Sequence, residues 1–315
     1  ELYFLISGFI FIITPFSYAI WNAKNTGISV RGFGLLLGQS YLYLIIIHAI
    51  THNIIILVAA IGIAFLILIS SQFTMQFLVL SSPFLAFLFN NPLILIIPII
   101  AFFLFFLLMP KISRNFIIGQ LNHKKLYFMY LSRVFILKAR YSIWRDLVYD
   151  FWIKARNDFK ASLLYIFYNP FISIVLGIPF LVLFIAVFFT DERMRSVLIG
   201  NIYVYYLVIP IVSAIVLFVI TSFQYTRFLG EPERYLEFCI PQISLLGTFL
   251  FINSAVYFYL MLCVSTILVV GQLIIIVRQK RNGSHNIAKE IKEIIQRIDS
   301  KEIERNIGKR IFSNN

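Results

Sequence analysis

Charged side chains are scarce in this sequence. Asp, Glu, Lys and Arg together make up 13% of its 315 residues, whereas a soluble domain typically holds about 25%. Hydrophobic residues make up 60%, and the mean hydropathy is +0.89. Because so few charges cannot solvate the surface of a soluble protein of this size, the sequence predicts an all-α, polytopic integral membrane protein.

Cysteine is also scarce, and the common cofactor motifs are missing. Cys239 and Cys263 are the only cysteines, and both lie in apolar sequence, which argues against a disulfide framework. No phosphate-binding loop or dinucleotide-binding fingerprint occurs, so no cofactor is identified, and we assign no metal ligand and no nucleic-acid partner. His48 and His52 could bind a metal from one helix face. Without a third ligand, we favour histidines that hydrogen-bond to the backbone or to water.

Long apolar runs fill most of the chain. A helix needs about 20 predominantly apolar residues to cross a bilayer, and nine segments approach that length. They are about 2–20, 33–50, 54–70, 73–90, 92–109, 171–189, 201–220, 236–253 and 255–277. Pro and Asn residues interrupt the fourth and fifth segments, so this pair could instead form a broken or re-entrant hairpin.

The distribution of Lys and Arg predicts how these spans are oriented. Residues 111–160 hold eleven Lys and Arg against three Asp, and a block this basic stays on the cytoplasmic side. Counting spans from that block places all but two of the 27 basic residues inside, the exceptions being Arg193 and Arg195. We therefore expect an N-terminus outside and a C-terminus in the cytoplasm of a plasma membrane, such as the bacterial inner membrane.

The same pattern divides the chain into four parts. Residues 1–110 would form a first membrane block of about five spans, and 111–160 a basic cytoplasmic segment. Residues 161–277 would form a second block of about four spans, and 278–315 a cytoplasmic tail. The tail carries a helical stripe of isoleucines, so we expect either the start of a soluble domain or a segment that packs on the membrane helices.

The basic segment is the first candidate site. From Lys124 onward, apolar and cationic residues recur at helical spacing, and we expect residues 126–156 to lie along the inner membrane surface. Asp146 and Asp150 share a face and could hold Mg²⁺ with phosphate oxygens. We favour the alternative, in which they pair with Lys154 and a nearby Arg on a solvated face. The candidate substrate-binding residues on this segment are Arg140, Arg145, Asp146 and Asp150.

Loop 21–34 supplies two further candidate substrate-binding residues, Lys24 and Arg31. The loop is rich in Gly, amide and hydroxyl groups and precedes a predicted helix, where a phosphate can bind to backbone N–H groups. A plain turn with cations that anchor it on the inner side is the simpler explanation. Both explanations place these cations on the same side as the basic segment.

The strongest local signal is the stretch 230–238, which holds three carboxylates and an Arg beside a predicted span. Pro232 suits the first turn of a helix, and on such a helix Glu233 and Glu237 share a face while Arg234 can pair with Glu237. An ordinary capped helix start would explain the pattern without a ligand. Because polar residues at membrane depth are commonly functional, we take Glu233, Arg234 and Glu237 as the candidate catalytic residues and expect them to face the protein interior.

Two classes of function fit these features. The first is an enzyme, or the membrane part of an enzyme, that handles a phosphate-bearing lipid or lipid-linked sugar at the cytoplasmic leaflet, with cell-envelope polysaccharide or glycolipid biosynthesis as its setting. Its partners would be membrane lipids with anionic headgroups. The second is a transporter, flippase or non-catalytic assembly scaffold, favoured by the number of spans and the lack of a complete catalytic constellation. Against an ion-coupled carrier, the spans carry almost no charge.

Overall fold

The computed structural model describes residues 2–14, 30–129, 152–153, 155–156, 170–223, 226, 229 and 232–281. In these residues the chain forms thirteen helices and no strand. The helices are α1 (Leu2–Ile13), α2 (Val30–Thr51), α3 (Ile54–Ser70), α4 (Gln72–Leu88), α5 (Leu93–Leu108), α6 (Pro110–Met129), α7 (Pro170–Gly177), α8 (Pro179–Thr190), α9 (Glu192–Gly200), α10 (Ile202–Thr221), α11 (Arg234–Glu237), α12 (Ile240–Asn253) and α13 (Ala255–Arg281). Residues 1–269 and 270–315 are separate compact units, and the described part of the second is the end of α13. The all-helical fold class is therefore confirmed for the described residues.

Two of the helices are long and apolar enough to cross a membrane. In α2 the stretch is Gly32–Thr51, and in α10 it is Ile202–Thr221; each has 20 residues. Shorter apolar stretches of 10–17 residues occur in α3, α4, α5, α8, α12 and α13, below the about 20 residues that a crossing helix usually needs. Nine spans therefore stay a prediction.

The fourth and fifth predicted spans are two separate helices joined by a tight turn. Asn90 adopts a left-handed conformation with φ 50°, which Asn tolerates better than most residues. The Asn91 N–H then donates to the Ala86 carbonyl at 2.9 Å and closes the end of α4. Pro83 and Pro98 lie inside the two helices without ending them, so the helices are complete rather than broken.

The predicted span 171–189 is not one helix, and the prediction of an unbroken span there is wrong. The chain leaves the helical conformation at Ile178, where φ is −134° and ψ is 64°, and a new helix starts at Pro179. A residue that precedes proline is disfavoured in the helical conformation, and proline fits the first turn of the next helix. The dipeptide Ile178-Pro179 is therefore the cause of the break.

The basic segment becomes helical earlier than its pattern predicts. α6 begins at Pro110, with only Met109 between it and the end of α5, and Phe116 packs edge-to-face against Phe105 with ring centroids 5.8 Å apart. The predicted start at Lys124 is wrong because this packing against α5 supplies an apolar contact before the amphipathic pattern begins. Most of residues 126–156, predicted to lie on the membrane surface, falls outside the described residues.

The stretch between the predicted spans 171–189 and 201–220, which the Lys and Arg count places outside, contains helix α9. The Asp191 carboxylate caps this helix by accepting a hydrogen bond from the Met194 N–H at 3.0 Å, and it also accepts one from the Tyr257 hydroxyl at 3.0 Å. These two hydrogen bonds, the backbone one first, lower the pKa of Asp191. The carboxylate thus holds α9 against the start of α13.

Candidate functional site

The stretch 230–238, called the acidic motif from here on, is described from Pro232. It forms short, tight turns rather than a long helix. Three backbone N–H groups each donate to the carbonyl three positions earlier, at 3.0–3.2 Å. They link Tyr235 to Pro232, Leu236 to Glu233, and Cys239 to Leu236. α11 is accordingly a single turn, and the prediction of one helix running from Pro232 is wrong.

Proline explains where the next helix begins. In a continuous helix the N–H of residue 241 would donate to the Glu237 carbonyl, but Pro241 has no N–H. α12 therefore starts at Ile240, with Pro241 in its first turn. The Glu237 carbonyl instead accepts a long hydrogen bond, 3.5 Å, from the Gln39 side chain of α2. The motif is thus tied to a helix that is 198 residues away in sequence.

Two of the three carboxylates in the motif, those of Glu233 and Glu237, lie in the described part of the chain, and both are buried. Glu233 is 2% exposed and Glu237 is 3% exposed, so the prediction that these side chains face the interior is confirmed. Arg234 between them is half-buried, and its guanidinium carbon lies 5.7 Å from the centre of the Phe73 ring. Such a contact between a cation and an aromatic face stabilises the arginine at the edge of the core.

An aromatic cluster anchors the motif to α4. Phe238 stacks on Phe77 with ring centroids 4.1 Å apart, and Phe73 contacts both Phe238 at 5.7 Å and Tyr235 at 5.3 Å. The Tyr235 hydroxyl donates to the Leu229 carbonyl at 2.8 Å, which satisfies its polar end. The backbone that carries the carboxylates is therefore fixed by packing on both sides.

Two glycines let α2 approach this cluster closely. A Cβ on Gly38 would lie 2.5 Å from the Phe238 ring and 3.0 Å from the Thr74 methyl, and one on Gly34 would overlap Ser71. Small residues spaced by four are a recognised signal for close helix packing in membranes. The pair Gly34 and Gly38 carries that signal in the sequence, and sequence reasoning missed it.

The motif lies deeper in the bundle than a helix boundary would. Gln39 is nine residues into α2, about 14 Å from the end of that helix at 1.5 Å per residue. The Cys239 thiol donates to the Pro210 carbonyl at 3.4 Å, and Pro210 is eleven residues, about 16 Å, from the end of α10. The segment therefore enters the bundle as one short helical turn flanked by irregular backbone, and it is covered by protein.

The predicted substrate-binding residues are not brought together in the described part of the chain. Arg31 lies in the first turn of α2, at the end of the bundle from which the motif enters. The others, Lys24, Arg140, Arg145, Asp146 and Asp150, lie outside the described residues. Their roles stay predictions.

The histidine pair at the other end of α2 has a structural explanation. The His48 ring is 2% exposed, and its Nδ1 lies 3.0 Å from the Asn53 carbonyl. The ring of His52 is edge-on to it, with centroids 6.5 Å apart. Within the described ranges, no group of three or more His, Cys, Asp and Glu side chains could hold a metal ion. His48 thus hydrogen-bonds to the backbone, as the favoured interpretation expects.

The motif gives this site a definite chemistry. Carboxylates accept hydrogen bonds from hydroxyl and ammonium groups, whereas a guanidinium donates them to anions. Glu233, Glu237 and Arg234 can therefore bind a ligand that offers hydroxyl groups next to an anionic group.

Comparisons of this chain with protein-family models, with curated proteins and with solved structures find no match.

Proposed function

We propose that this chain is a polytopic membrane protein that binds the headgroup of a phosphate-bearing lipid or lipid-linked sugar between its helices. The observation that carries the proposal is the burial of Glu233 and Glu237, at 2% and 3% exposure, in a bundle whose other buried polar residues, within the described part of the chain, are Ser, Thr, Gln and His. Burying a carboxylate costs several kcal/mol unless it is compensated. Even where their charges are compensated inside a protein, buried ionic groups can often be replaced by apolar residues without loss of stability, so a ligand explains the two acids better than packing alone does.

The charges of the three side chains indicate which part of the ligand each would bind. Sugar hydroxyls would donate to the carboxylates of Glu233 and Glu237, and a phosphate would lie towards Arg234, which is nearer the surface. Further cations are available at the same end, because α6 follows the end of α5 and exposes Lys111 and Arg114 without any acidic residue in the helix. An anionic headgroup would therefore be attracted to this end of the bundle.

The contacts between helix ends support the predicted alternation of the spans. Near the start of α2, Gly34 lies against Ser71, which caps the start of α4. At the opposite end of α4, Phe89 stacks on Tyr206 near the start of α10. In both contacts, the two helix ends that touch are ones that the Lys and Arg count assigns to the same side of the membrane. The same count assigns the motif to the cytoplasmic side.

A transporter or flippase is the second candidate, and one observation favours it. Two neighbouring apolar segments are interrupted, between α7 and α8 at Ile178 and between α11 and α12 at Cys239. The segments touch, because a Cβ on Gly247 of α12 would lie 3.1 Å from the Phe180 ring of α8. Interrupted helices that place irregular backbone within the bundle are typical of transporter binding sites.

Native mass spectrometry of the purified chain tests the first proposal. We expect a co-purified polyisoprenyl-phosphate or lipid-linked sugar with the wild type, and its loss from Glu233→Gln and Glu237→Gln. Glu290→Gln in the tail is the matched control and should keep the lipid. Each Gln removes a charge but keeps the shape, so the melting temperature should fall little. Retention of the lipid by both site variants would refute the site. If no lipid co-purifies and both variants abolish the movement of lipid or solute across the membrane of proteoliposomes, the transporter proposal replaces the first.

A further inference from the structure

A groove on the side of the bundle lies between α8 and α10, away from the acidic motif. It has a volume of about 440 Å³ and is lined by α8, α9 and α10. Its walls are apolar side chains such as Phe184 and Phe188 of α8 and Val208 and Ile215 of α10. A volume of this size falls within the range of about 300–1,000 Å³ that is usual for small-molecule sites.

The groove is elongated along the helix axes. Its lining on α10 recurs at Val204, Val208, Ile211 and Ile215, spacings of three and four that mark one face of the helix. From Val204 to Ile215 this face extends about 16 Å at 1.5 Å per residue. An apolar channel of that length suits an extended hydrocarbon chain that lies parallel to the helices.

A polar depression adjoins the groove at one end. It is lined by Glu192, Arg193, Arg195 and Ser196 of α9, and Ile199 lines both the depression and the groove. Arg195 donates to the Glu192 carboxylate at 3.1 Å, and the Glu192 side chain is 89% exposed. The depression therefore presents both charge signs, side by side, at the mouth of an apolar channel.

We infer that this groove binds one zwitterionic phospholipid, with an acyl chain in the groove and the headgroup on α9. The phosphate would contact the two arginines, and the ammonium group would contact Glu192. A headgroup with only negative charge would be attracted by the two arginines but repelled by the Glu192 carboxylate. The inference requires the membrane setting of the proposed function, but it concerns a second site, assigned by charge to the outer leaflet, and it does not depend on the acidic motif.

The test uses the full chain in detergent and two lipids with identical acyl chains, phosphatidylethanolamine and phosphatidylglycerol. Native mass spectrometry should detect one saturable phosphatidylethanolamine per chain, in preference to phosphatidylglycerol. Val208→Trp, which fills the groove, should remove it, whereas Val219→Trp, on α10 outside the groove, should not. The double variant Arg193→Gln and Arg195→Gln should weaken binding about thirtyfold, since each of the two exposed cations near a phosphate contributes on the order of 1 kcal/mol. Arg297→Gln in the tail is its control.

Three results would overturn the inference. Equal occupancy in Val208→Trp and Val219→Trp would mean that the lipid binds the outside of the bundle non-specifically. Equal binding of the two lipids would refute the zwitterionic headgroup. A dimer in the wild type that only Val208→Trp dissociates would assign the groove to a second copy of the chain. Because the arginine variants change only surface residues, they remain informative even if Val208→Trp does not fold.

Discussion

The close contact between α2 and the acidic motif predicts that Gly38→Ala destabilises the protein. The new Cβ would lie 2.5 Å from the Phe238 ring, whereas carbon atoms pack best at about 3.5–4.0 Å. The ring cannot swing away, because Phe238 is 1% exposed and stacks on Phe77 at 4.1 Å. Overpacking of this kind costs about 1–3 kcal/mol. The higher helix propensity of alanine offsets up to about 1 kcal/mol of that.

Gly62→Ala is the matched control for this prediction. Gly62 lies inside α3, where a Cβ would meet nothing within 4 Å, so alanine should stabilise the helix by about 0.5–1 kcal/mol. We expect thermal unfolding in detergent to show a lower melting temperature for Gly38→Ala and an equal or higher one for Gly62→Ala. The lipid that co-purifies with the wild type should also be lost from Gly38→Ala alone. If Gly38→Ala proves as stable as Gly62→Ala, the described packing of α2 on Phe238 is wrong.

Two further predictions concern the side of the chain opposite the motif. In a variant with Cys239 and Cys263 replaced by Ala, an impermeant thiol reagent on intact cells should label a cysteine at position Ser196 but not one at Ser142; labelling at 142 would reverse the orientation. Asp191→Ala should lower the melting temperature at pH 7, because the pKa of Asp191 is lowered in the folded state. A lowered folded pKa adds stability above the unfolded value of about 3.9 that is lost as pH falls below it. The melting temperatures of variant and wild type should therefore converge only as the pH falls below about 4, and a gap that stays constant into that acidic range would contradict this role.

Helix boundaries were accessible from the sequence wherever a local residue sets them. The predicted span 54–70 coincides with α3, because Asn53 caps its first turn by accepting from the Ile55 N–H at 2.8 Å. Ser71 both ends α3 and caps α4. The breaks at Pro179 and Pro241 are equally local. Pro179 disfavours the helical conformation at Ile178, and Pro241 lacks the N–H that would continue the preceding turn. Those two breaks could have been predicted from the prolines, but a count of apolar residues alone does not show them.

The architecture of the site was not accessible in the same way. The sequence predicts the acids of 233–237 as candidates, and burial of their side chains agrees with it. Two contacts define the site: the Gln39 side chain donates to the Glu237 carbonyl, and Phe238 packs against Gly38. In each contact the two residues are about two hundred positions apart in sequence. The spacing of Gly34 and Gly38 signals a close helix contact, but no periodicity within one helix identifies the residue that fills it. The depth of the motif follows only from those contacts.

The short length of α12 has a consequence for how such a protein is made. Its 14 residues span about 21 Å, less than the about 30 Å of a bilayer core, so α12 alone is a poor substrate for the insertion machinery. In the proposed membrane protein, the preceding turn would have to complete the crossing, and its backbone could not face lipid. In that protein, α2 and α4 would have to be inserted first and shelter that turn during translation. Early synthesis of the N-terminal helices would then act as an internal chaperone for the C-terminal ones.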